Sequence, residues 1–149
     1  MARFRFSMEN LLNMKEKLEE QEKNNYSQAN MRLQQAEEEL RLTQIRYDEK
    51  QQILRGKMRA ALNVQEIRQM EQGLKVLGEY EKQQIKMVEQ RQRELNLARE
   101  KLYEARKERK TFEKLKEKAF QLFLEEENKK EQKEIDELVS YRYGAEKEI

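Results

Sequence analysis

No proline interrupts the 149 residues of this chain. Proline removes a backbone donor and clashes with the preceding turn, so its absence lifts the commonest limit on helix length. The residues that fill the sequence (Glu, Lys, Gln, Arg, Leu and Ala) are the strong helix formers. Charged side chains make up 42% and apolar ones 36%, too few apolar residues for a multilayered core but enough for a narrow buried seam. The charges nearly cancel, at +2, and the apolar residues recur periodically; both features argue against a disordered chain.

Periodicity supplies the seam. On one seven-residue frame, Leu33, Leu40, Tyr47, Leu54 and Ala61 take position a, and Ala29, Ala36, Thr43 and Val64 take position d. Upstream, Leu11, Met14 and Leu18 read one residue out of that frame, which predicts a local stutter. A second frame places Ile67, Leu74, Val88, Leu95, Leu102 and Phe123 at a, and Met70, Leu77, Ala98, Ala105, Phe112 and Ala119 at d. Glu81, Gln84, Arg91, Arg109 and Lys116 interrupt it; polar seam residues cost stability but fix register.

The two frames do not join, which marks a corner. Asn63 has N-cap chemistry and Glu66 stands three residues on, the spacing of a capping box, while Gly56 offers an end to the first helix. The expectation is therefore a single coiled-coil domain over 1–149, with helix one at about 5–57, a corner at about 57–63 and helix two at about 64–142. Gly73 and Gly78 mark a rival corner at 73–78. Two long helices joined by a short corner make an all-α antiparallel hairpin. Aligning its seams sets Ala29 near Leu95, Ala36 near Val88, Tyr26 near Ala98 and Leu12 near Phe112, large against small. A first helix of roughly 50 residues would be about 75 Å long, and the second outruns it, so residues from about Glu125 to Tyr143 are expected to project alone.

Chemistry is sparse. There is no histidine and no cysteine, hence no disulfide, no thiolate, and neither the usual general base nor the commonest metal ligand. No phosphate-binding glycine loop or zinc spacing occurs, and Glu125, Glu126 and Glu127 read as a solvated face. No catalytic residue, cofactor or metal is expected. Nucleic acid is not expected either: Arg106, Lys107, Arg109, Lys110, Lys114, Lys116 and Lys118 are interleaved with Glu108, Glu113 and Glu117. No stretch approaches the roughly 20 apolar residues of a membrane span, and the start, MARFRFSMENLL, lacks the apolar run of a secretory signal. A cytoplasmic protein, monomeric or weakly self-associating, is the expectation.

Two apolar groups stand out. Phe4 and Phe6 precede the first helix, and the register brings them to Phe120, Leu122, Phe123 and Leu124 as a plug at the open end. At the far end Ile135, Leu138, Val139, Tyr141 and Tyr143 have nothing to pair with, the pattern of a docking surface. Val76 and Tyr80 fall off the seam near the corner.

Several stretches resemble the flagellar export FliJ family: Phe4-Arg5-Phe6-Ser7-Met8-Glu9-Asn10-Leu11-Leu12 at the start, Asn63-Val64-Gln65-Glu66-Ile67-Arg68 at the corner, Phe120-Gln121-Leu122-Phe123, and Glu134-Ile135-Asp136-Glu137-Leu138 near the end. The resemblance implies an antiparallel helical hairpin similar to the central stalk of rotary ATPases. It implies a non-enzymatic component of the type III export apparatus, peripheral to the cytoplasmic face of the cell membrane at the flagellar base. The implied partners are the hexameric export ATPase, the membrane export gate and the export chaperones, which ties the chain to flagellar assembly and chemotaxis. Carried over, the ATPase-ring contact falls on Phe4, Phe6, Phe120, Phe123, Ile135 and Leu138, and the gate contact on Leu77, Tyr80 and Gln84. The alternative is a generic coiled-coil scaffold or helix-binding chaperone unrelated to flagella.

Overall fold

The computed structural model describes residues 3–60 and 63–147. It contains two helices, α1 (Glu9–Arg59) and α2 (Val64–Lys147), packed against each other as a helical hairpin. The rival corner does not form: α2 passes through Gly73 and Gly78 without a break. Nor does α1 stop at Gly56. It continues to Arg59, with the Ala60 amide donating to the Gly56 carbonyl at 3.2 Å. Ala61, an expected a position, lies outside the described residues.

Local chemistry sets the helix ends. At the start of α1 the Glu9 amide donates to the Phe6 carbonyl at 3.2 Å and the Leu12 amide to Met8 at 3.0 Å, so residues 3–6 remain outside the helix. At the start of α2 the Asn63 side-chain oxygen accepts the Gln65 amide at 3.1 Å, an N-cap that satisfies one orphan donor of the first turn. The capping box does not close, because Glu66 binds the Lys57 ammonium of α1 instead. Val64, expected at a d position, is the first residue of α2 and lies exposed.

The chain divides into two compact units, Gln21–Tyr103 and Met1–Glu20 with Glu104–Ile149. In the unit Gln21–Tyr103, Ala29, Leu33, Leu95 and Ala98 form a buried cluster with Tyr26 and Val88 against it. Ala36, another small seam residue that allows close approach, is buried, as are Leu54 and Leu74. Gln44 donates to Glu81 at 3.4 Å and Lys57 meets Glu66, so thirteen residues forward on α1 correspond to fifteen back on α2. The helices are therefore antiparallel.

The second unit has the same sense. Glu9 pairs with Lys116 at 2.9 Å and Lys15 with Glu108 at 2.8 Å, six residues forward against eight back. Here the seam differs from expectation. Leu11, Met14 and Leu18 are exposed, and the inward positions are Leu12, Lys15 and Glu19. Seven-residue steps from Leu12 reach Glu19, Tyr26, Leu33 and Leu40, so the frame of α1 continues to its start and no stutter occurs.

Candidate functional site

Three phenylalanines meet in the unit formed by residues 1–20 and 104–149. The Phe4 ring lies edge-on to Phe120, with centroids 5.2 Å apart and an interplanar angle of 73°. It also lies 5.5 Å from Phe123, and Phe120 and Phe123 stack at 6.5 Å and 23°. These are the spacings that aromatic quadrupoles favour. Phe4 reaches the pair because residues 3–6 leave the helix, and Phe120 and Phe123 share a face of α2 by their three-residue spacing. The cluster is incompletely covered, since Phe120 remains 41% exposed. Phe6 is half-buried in a groove that it lines together with Phe4, Arg5, Glu9 and Lys116.

Ile135 and Leu138 do not join these rings. Ile135 stands twelve residues beyond Phe123, about 18 Å along the helix. Every described side chain from 128 to 146 is exposed, including Ile135, Leu138 and Val139. Gln132 bonds Asp136 at 3.2 Å, an i,i+4 contact of the kind that supports a solvated helix. The six residues expected to form one contact are thus two surfaces: an aromatic cluster of Phe4, Phe120 and Phe123 with Phe6 in the adjoining groove, and a solvated apolar stripe.

The second expected site also separates. In the unit Gln21–Tyr103, Val76 and Tyr80 are exposed and Leu77 is half-buried; with Gly73 and Lys50 they border a shallow groove. Gln84 does not line this groove. It is a seam residue, 8% exposed, and its Oε1 is buried without a hydrogen-bond partner.

One constellation was not anticipated. Glu19 is buried in the seam at 5% exposed. Arg106 donates to its Oε1 at 3.3 Å, and Arg109 donates to its Oε2. Arg109 also reaches Glu113 at 2.7 Å. The hydrogen bond to Glu19, followed by that to Glu113, raises the Arg109 pKa above its ordinary value. The missed signal was the seven-residue step from Leu12 through Glu19 to Tyr26, which the apolar Leu11, Met14 and Leu18 obscured.

Among the described residues, no group of three or more acidic residues is placed to hold a metal ion, and no helix is long and apolar enough to cross a membrane.

A solved structure of a YscO homolog, CT670, from Chlamydia trachomatis superposes with a TM-score of 0.66 at 23% identity, covering 98% of this chain and 99% of that one. At that identity it supports the fold alone. No curated protein sequence matches the chain. The family described as flagellar FliJ protein matches residues 4–148, nearly the whole sequence. This chain therefore belongs to the FliJ family, whose members are components of the type III export apparatus.

Proposed function

We propose that this protein is a non-catalytic stalk and adaptor of the flagellar exporter, which inserts helical ends into the hexameric export ATPase and promotes that enzyme's assembly and activity. The observation that carries the reading is the solvated stripe of Ile135, Leu138 and Val139 on an otherwise charged helix, in a chain that belongs to the FliJ family. Large apolar side chains grouped on so polar a surface are the usual mark of a partner site, and i,i+3 and i,i+4 anchors suit a groove lined by another protein. ATP hydrolysis belongs to the ring. This chain supplies binding energy that differs between ring conformations, which is how a ligand without chemistry of its own shifts an equilibrium.

The Val76, Leu77 and Tyr80 surface is the candidate contact for the membrane export gate, and the export chaperones are the third class of partner. Gln84 enters this proposal as a packing residue behind that surface, since its side chain is buried. The protein would act in the cytoplasm, peripheral to the membrane at the flagellar base. Truncation after residue 124 tests the ring assignment: affinity for the assembled export ATPase, measured by surface plasmon resonance, should fall at least tenfold, the equivalent of about 1.4 kcal/mol. Unchanged affinity would exclude the stripe as the ring contact.

A further inference from the structure

The seam changes character along α1. In the unit Gln21–Tyr103 it is closed by apolar burial around Ala29, Leu33, Leu95 and Ala98. In the unit formed by residues 1–20 and 104–149, the fully buried hydrophobic residues among those described are Leu12 and Ala105; half-buried Phe112 and the partly covered Phe4, Phe120 and Phe123 add to them, and ion pairs also join the helices. Lys116 sits 2.9 Å from Glu9, Lys15 sits 2.8 Å from Glu108, and Glu19 takes both Arg106 and Arg109.

Glu19 has the most to lose among these. Its side chain is 6% exposed, against 21% for Arg109 and 45% for Arg106. A carboxylate taken out of water recovers its desolvation cost only while its partners keep good geometry. Parting the helices returns the carboxylate to water, which offsets much of the lost pairing, whereas an apolar seam residue gains no such offset when water reaches it. An apolar pair of similar volume at positions 19 and 109 would hold the helices at least as well, so the charges are not there for strength alone.

We propose that these ion pairs form a releasable clasp with Glu19 as its key: residues 9–20 of α1 part from residues 104–119 of α2 in one cooperative step, while the apolar seam around Leu33 and Leu95 stays closed. Local opening of such units below the global unfolding energy is general protein behaviour. Release also carries Phe4 away from Phe120 and Phe123, so the clasp controls access to that aromatic face. The proposal concerns pairing within the chain and does not depend on which partner the family contacts.

Hydrogen exchange of the full-length protein, read by mass spectrometry, tests it. Glu19→Gln leaves two arginines facing a neutral amide; amides in 9–20 and 104–119 should then exchange about tenfold faster, while those in 29–54 and 74–98 keep wild-type rates. The double variant Glu19→Leu with Arg109→Leu should exchange in the first two stretches no faster than wild type, which separates loss of charge from loss of packing. Wild-type rates in Glu19→Gln, equal acceleration of every stretch, or a double variant that opens as readily as Glu19→Gln would each overturn the clasp.

Discussion

Lys57 of α1 and Glu66 of α2 form an ion pair across the hairpin turn. The pair explains why the expected capping box stays open: the carboxylate that would return to the Asn63 amide is engaged by the opposite helix. The turn is then held by two separable devices, the Asn63 side chain at the start of α2 and the Lys57–Glu66 bridge.

The two devices should differ in weight. Asn63→Ala removes the acceptor for the Gln65 amide and should cost about 1 kcal/mol of unfolding free energy, whereas Asn63→Gly should cost only a few tenths. Glu66→Gln should cost about 0.5 kcal/mol, because both side chains are partly solvated. Urea denaturation followed by circular dichroism measures all three. A larger loss from Glu66→Gln than from Asn63→Ala would show that the bridge, rather than the cap, sets the turn.

Gly56 and Gly73 should be improvable. Both lie within helices, and a Cβ added at either position meets nothing within 4 Å. Replacing either with alanine removes the entropic penalty of a mid-helix glycine and should stabilise the protein by about 0.5–1 kcal/mol. The midpoint of thermal unfolding reads the effect. A fall in midpoint for Gly56→Ala would mean that α1 needs a flexible link near its end.

Gln84 carries a buried oxygen without a partner. Gln84→Leu removes that unsatisfied acceptor at similar volume and should raise stability by about 1 kcal/mol. The same substitution should leave binding to the gate protein unchanged, while Tyr80→Ala should weaken it. Isothermal titration with the gate's cytoplasmic region checks the pair. Loss of binding in Gln84→Leu with Tyr80→Ala unaffected would reverse the assignment.

Acid should loosen the helices in a predictable window. The hydrogen bonds from Arg41 to Glu38 and from Arg91 to Glu94 hold both carboxyls below the usual carboxylate range. A depressed pKa contributes stability that is present above the unfolded-state value of about 4.3 and is lost as pH falls through the folded-state value. Helical ellipticity should therefore be flat from neutral pH and decline below about pH 4, with the decline reduced in Glu94→Gln. An ellipticity that rises on acidification would contradict this sign.

The hairpin and most of its seam were readable in the sequence because α2 keeps one frame from Ile67 to Phe123, and even its polar members, such as Gln84 and Arg91, turn inward. The first turns of α1 were not. Leu11, Met14 and Leu18 are the apolar choices there, yet the structure exposes them and faces Lys15 and Glu19 inward. What decides is the other helix: Glu108, Arg106 and Arg109 supply partners that no periodicity within α1 reveals. The apolar plug was legible in part: the register brings Phe4 to Phe120 and Phe123, but Leu122 and Leu124, expected in the same plug, remain exposed. Gln84 is buried where its seam position puts it; the gate contact that the resemblance implied for it calls for an exposed side chain.

The stalk assignment is tested most directly by titrating the full-length protein into the purified hexameric export ATPase while following phosphate release. Turnover per ATPase subunit should rise and saturate at one chain per hexamer. Turnover that stays at its basal value, with the ring assembled and this protein in excess, would contradict the account.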